Sequence, residues 1–110
     1  MLHYAMELKD LKEAFKMRVM VNQKPLLLIY FEDQVYALSD KCPHLGASLD
    51  KGVIDGNTVT CKAHGAKIDI KTGEIIEKAK VLLIKMPTKK AKTYPVEIKK
   101  DKIFIEFPNA

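Results

Sequence analysis

The sequence predicts an all-β fold, a small antiparallel sandwich or barrel, and three observations carry that prediction. Apolar residues alternate with polar ones through KMRVMVN, YPVEIK and KIFIEF, the period-two pattern of half-buried strands. A continuous apolar run, PLLLIYF, resumes after Glu32 and Asp33 as QVYALSD, which reads as a hairpin. Short apolar segments elsewhere are separated by clusters of turn-forming residues.

Taken in order, LKDLKEAFK near the start is the one stretch with helical character, and it makes barely two turns. Met17, Val19 and Val21 then share one face of a strand, and the PLLLIYF/QVYALSD hairpin follows. DGN at 55–57, KTG at 71–73 and KKDK at 99–102 mark further turns. They bound strands at 57–60 and 67–70 and separate the pair Val96 and Ile98 from the set Ile103, Ile105 and Phe107.

At 110 residues and 12.5 kDa the chain is expected to be a single domain, 1–110. With 47% apolar and 30% charged residues it has ordinary globular composition. The opening MLHYAMELKD has no basic segment followed by an apolar one, and the longest purely apolar run, Leu26 to Phe31, is far too short to span a bilayer. The expectation is a cytoplasmic protein with no membrane partner. The net charge of +5 raises nucleic acid as a partner. However, Arg18 is the single arginine, the lysines are scattered, with the densest group between Lys85 and Lys92, and no aromatic platform is interleaved with them. The pattern fits a solvated lysine surface and argues against nucleic-acid binding.

Cys42 and Cys61 are the only cysteines. An isolated disulfide suits a chain without a secretion signal poorly, and inert buried thiols would be the ordinary alternative. Each cysteine, however, stands close before a histidine and a glycine, in CPHLG at 42–46 and CKAHG at 61–65. Both pieces lie in turn-rich sequence between strands, where a rigid scaffold can present them together. The sixteen residues 45–60 separate His44 from Cys61, enough for a hairpin that returns the second loop beside the first. Structural zinc is one candidate, since two thiolates and two imidazoles complete its tetrahedron. Yet zinc fingers group their cysteines in one piece and their histidines in another, whereas here each loop mixes the two. Two metal atoms between the loops would give one Cys₂ end and one His₂ end, the ligand set of a Rieske two-iron, two-sulfur centre.

C-x-H, a spacer and C-x-x-H together resemble the Rieske signature. The likeness extends through QVYALSDKCPH, GVIDGNTVT, AKIDIKTGEI and TYPVEIKKDKIFIEF to the soluble Rieske ferredoxins of dioxygenases and to the small subunits of nitrite reductases. It implies a Rieske-type antiparallel β-sandwich with a cluster-binding subdomain of two loops, about 40–76. One [2Fe-2S] cluster would be held there, with Cys42 and Cys61 on the inner iron and His44 and His64 on the outer iron. The residues agree with that implication. Gly46 and Gly65 would let backbone N–H groups approach the sulfides, and Pro43 stiffens the first loop. His3 stands alone and is given no role. Two neutral imidazoles in place of two thiolates leave the oxidised site formally neutral, so an electron is added more easily than to an all-cysteine cluster.

Departures from the high-potential members sharpen the expectation. Where those carry a disulfide pair of cysteines this chain has Ala47 and Ala63, and where they donate hydrogen bonds from a serine and a tyrosine it has Ala66 and Ile68. A midpoint in the lower part of the roughly −150 to +300 mV Rieske range is expected. Lys62 stands where relatives often have proline. The segment EKAKVLLIKMPTKKAKT, 77–93, is longer than the resemblance implies; its VLLI reads as buried strand, and Pro87 as the start of a loop shielding the cluster.

The function expected is therefore one-electron transfer from a reductase to a terminal oxygenase or other redox enzyme. No paired carboxylates or activated nucleophile suggest catalysis by the chain itself. The alternatives are the small subunit of a nitrite reductase, a zinc-stabilised structural β-domain and, last, a basic barrel for single-stranded nucleic acid. Lys41, Lys51, Lys62 and Lys67 form either a positive collar for acidic redox partners or simply part of the solvated surface.

Overall fold

The computed structural model describes residues 1–40, 52–60, 67–77, 80–81, 84–85 and 92–107. Thirteen strands and one helix occur among them, arranged in three sheets and a short hairpin, and all pairings are antiparallel. The chain starts with a strand that the alternation did not reveal, β1 (Leu2–Glu7), which pairs with β13 (Lys102–Glu106), itself paired with β12 (Val96–Lys99). The expected short helix is α1 (Leu8–Ala14). It ends at Phe15, whose φ of 67° turns the chain and whose carbonyl accepts the Tyr30 N–H at 2.8 Å.

The central sheet runs β11-β4-β3-β2: β11 (Thr93–Tyr94), β4 (Gln34–Ser39), β3 (Lys24–Phe31) and β2 (Lys16–Val21). β3 explains why its sequence is a continuous apolar run, because successive side chains point to opposite faces of a sheet and both faces of this one are covered. Leu26 and Leu28 enter a core with Leu11, Val21, Ala37, Tyr94, Ile103, Ile105 and Phe107, beneath the first sheet and the helix. Leu27 and Ile29 enter another with Leu38, Val59, Ile68 and Ile70. That second core is shared with a small sheet, β5 (Val53–Asp55), β6 (Thr58–Thr60), β7 (Lys67–Asp69) and β8 (Ile75–Glu77).

Turns fall where the sequence places them. Glu32–Asp33 (φ 51° and 62°) and Lys100–Asp101 (φ 50° and 63°) have both central residues left-handed, as type I′ hairpins require, and a further such turn that the sequence reading did not mark falls at Asn22–Gln23 (φ 51° and 62°). Gly56, at φ 59°, opens the β5–β6 turn. The reading of VLLI as one strand changes: Val81 ends β9 (Lys80–Val81) and Ile84 begins β10 (Ile84–Lys85), which pair with each other, so these two residues lie on partner strands, and Leu82 and Leu83 lie outside the described residues. Pro87 lies outside the described residues. Among the described residues no helix is long and apolar enough to cross a membrane.

Candidate metal centre

The two Cys/His segments are placed by the strands that flank them. The first leaves β4 at Ser39 and Asp40 and rejoins the described chain at Gly52, directly before β5. The second joins the end of β6 at Thr60 to the start of β7 at Lys67. Register then does the rest: Thr60 lies opposite Val53 on one side and Lys67 on the other. Val53, Thr60 and Lys67 thus form a row across one end of the small sheet, with neighbouring strands about 5 Å apart. The end of one segment and both ends of the other meet at that row. The hairpin expected between the two Cys/His pieces is β5–β6.

Cys42, His44, Cys61 and His64 lie outside the described residues, as do Lys41, Pro43, Gly46, Ala47, Lys51, Lys62, Ala63, Gly65 and Ala66. Of the positions singled out near the loops, Lys67 and Ile68 are described. Lys67 is half-buried at the row, and Ile68 is fully buried in the core shared with the central sheet, where its hydrocarbon side chain offers no hydrogen-bond donor. Val53 is 58% exposed, an apolar side chain at the same end. His3 sits on β1, edge-on to Phe107 with ring centroids 5.2 Å apart, far along the chain from either loop. Among the described residues no group of three or more His, Cys, Asp or Glu side chains is placed to hold a metal.

The chain leading into the first segment is held from three directions. The Ser39 N–H donates to the Lys92 carbonyl at 2.8 Å, and the Asp40 N–H donates to the Pro25 carbonyl at 2.9 Å, so β4 is gripped by both neighbours at its last residues. The Asp40 carboxylate, 2% exposed, accepts from Arg18 Nε at 2.8 Å. Sequence reasoning passed over this pair. The available signal was the single arginine of a lysine-rich chain, since arginine is the cation suited to buried, geometrically fixed pairing. The pKa of the Tyr4 hydroxyl is raised by its hydrogen bond to Glu7, that of Glu7 is lowered by Tyr4 and Lys102, and that of Tyr30 is raised by its hydrogen bond to Asp33.

A donor set of two thiols and two imidazoles, on segments anchored at one end of one sheet, fits a Rieske centre, whose two irons need two ligands of each kind. Comparison with known proteins agrees. The family model described as Rieske [2Fe-2S] domain matches residues 2–95. The chain is 31% identical over 99 residues to the ferredoxin component of the naphthalene 1,2-dioxygenase/salicylate 5-hydroxylase systems of Ralstonia sp., covering 90% of this chain and 88% of that one. Among solved structures it superposes, with a TM-score of 0.76 and 28% identity, on a chain from the complex of reduced oxygenase and oxidised ferredoxin in carbazole 1,9a-dioxygenase, covering 94% of this chain and 91% of that chain. The fold also matches the terminal oxygenase of carbazole 1,9a-dioxygenase from Novosphingobium sp. KA1, with a TM-score of 0.82 and 24% identity over 99% of this chain. There it spans only 30% of the other chain. The chain belongs to the Rieske [2Fe-2S] family and is an electron carrier with one cluster of that type, not an enzyme in its own right.

Proposed function

We propose that the chain, a single domain over 1–110, is the ferredoxin component of an oxygenase system, carrying one electron at a time from a reductase to a terminal oxygenase. The observation that carries this reading is the row Val53, Thr60 and Lys67, which gives two Cys/His segments a common end of the small sheet. The similarity to ferredoxin components over most of their length supports it. In this reading Cys42 and Cys61 would hold the inner iron and His44 and His64 the outer iron. When bound, the cluster supplies reversible one-electron chemistry.

The chain's own residues bind, orient and shield. Leu27, Leu38, Val59 and Ile68 form a dry floor for the loop-bearing sheet, and Ile68 withholds the donor that would stabilise the reduced state. The midpoint accordingly falls in the lower part of the roughly −150 to +300 mV Rieske range. Lys67 contributes positive charge at the loop end, suited to an acidic face on a cytoplasmic redox partner, so association slows as salt rises.

The test is ligand replacement with metal analysis and voltammetry. Wild-type protein should contain two irons and two sulfides per chain, as a [2Fe-2S] cluster requires, with a potential in the lower part of that range. Cys42→Ser, His44→Ala, Cys61→Ser and His64→Ala should each abolish or grossly alter the cluster. A variant retaining an unaltered cluster removes that residue from the ligand set, and a potential near the top of the range contradicts the role given to Ile68.

A further inference from the structure

We infer that Arg18 and Asp40 are positioning residues for the cluster: their ion pair fixes the direction in which the first ligand segment leaves the central sheet. The inference rests on the ligand set proposed above. Arg18 lies opposite Leu27, which lies opposite Leu38. Cross-strand partners share a face of a sheet, so Arg18 projects on the same face as Leu27 and Leu38, towards the small sheet. Asp40 is two residues beyond Leu38 and therefore shares that face. Their contact, Nε to Oδ2 at 2.8 Å, passes across the intervening strand β3 and joins β2 to the last described residue before the Cys42 segment.

The asymmetry of the pair shows what it constrains. Asp40 is 2% exposed at its side chain and Arg18 46%. A carboxylate so deeply withdrawn from water is costly unless it is paired and hydrogen-bonded, and stability alone is a weak reason to keep such a pair. Its location supplies a better one. The backbone bonds from Ser39 and Asp40 fix the position of the chain end, while a charge-assisted side-chain bond adds a directional constraint that backbone pairing cannot give. Two residues further on stands Cys42, the first thiolate. Ligand geometry depends on groups that hold the ligands, and the loss of such support typically costs about 10–100-fold in metal affinity.

The test measures the rate of cluster loss to a chelator, together with the EPR spectrum of the reduced protein, for Asp40→Asn, Arg18→Lys and Arg18→Met. Leu11→Ala serves as a control, because Leu11 is fully buried in the core on the opposite face of the central sheet. Asp40→Asn and Arg18→Met should fold with the wild-type far-UV spectrum, lose cluster about tenfold faster or more, and show altered g anisotropy; Arg18→Lys should fall between. Combining Asp40→Asn with Arg18→Met should cost less than the sum of the two single changes, since both remove the same ion pair. Variants that lose cluster at the wild-type rate, or no faster than Leu11→Ala at an equal fall in melting temperature, overturn the inference and leave the ligand set standing. Wild-type protein that takes up zinc without sulfide overturns the ligand set, and the inference with it.

Discussion

The two cores on either side of the central sheet are built to different standards. The one shared with β1, β12, β13 and α1 has nine buried residues among the described ones, including Tyr94 and Phe107, beneath paired strands of four to six residues. The other has six buried residues among the described ones and joins the central sheet to four strands, β5 to β8, each described over three residues. On the proposed ligand set, the first core is expected to be a frame that stands on its own packing and the second to be completed by what the adjoining loops bind. Electron transfer profits from that division, because the frame keeps the loop ends fixed while the loops are free to be specialised as ligands.

Removing the ligands breaks the comparison most severely. Cys42→Ser should lose the cluster and loosen the small sheet, seen as rapid amide exchange at β5–β7, while β1, β12 and β13 remain protected; equal loss of protection in both regions would mean the frame does not stand alone. Next come the adjacent residues Leu27 and Leu28, both fully buried but facing opposite cores. Each change to alanine should cost about 2–5 kcal/mol. At equal destabilisation, Leu27→Ala should release cluster faster than Leu28→Ala.

Smaller effects test the frame's turns. Gln23, at φ 62° after Asn22, suits glycine, and Gln23→Gly should stabilise the protein by roughly 1 kcal/mol in urea titrations. Asp33→Gly, at an equivalent turn position, should gain less because Asp33 accepts the Tyr30 hydroxyl at 3.0 Å. It should also let the Tyr30 pKa fall back towards 10.0. The smallest effect concerns Glu7, which is bonded to the Tyr4 hydroxyl and Lys102 and whose pKa is held below 4.5. A lowered carboxylate contributes stability that is present above its unfolded pKa and is lost as pH falls through the folded value. Glu7→Gln should therefore slightly lower the melting temperature at neutral pH, with the difference from the wild type shrinking as pH falls below about pH 4.5.

Much of the frame is legible in the sequence because burial imposes period two: Ile103, Ile105 and Phe107 alternate as read and are all buried. β3 was legible as a strand but not as a doubly covered one, since a run of apolar residues does not say what lies on either side. β1 was missed because LHYAME is half-buried along most of its length and carries no clean alternation. VLLI misled because four apolar residues look alike in one strand or in two. At the site, spacing pointed to the proposed ligand set, whose residues lie outside the described ones, and the β5–β6–β7 register brings the described ends of the two segments to one edge of the small sheet. The Arg18–Asp40 pair could not be read, for its partners are 22 residues apart and meet only once three strands are in register.

The central claim is that two thiolates and two imidazoles share one two-iron cluster. EPR of the dithionite-reduced protein, with measurement of nitrogen hyperfine coupling, tests it most directly. The account predicts a rhombic signal with an average g value below that of the free electron, coupled to nitrogens that disappear when His44 and His64 are replaced. A signal without nitrogen coupling, or a colourless zinc protein with no signal at all, would contradict it.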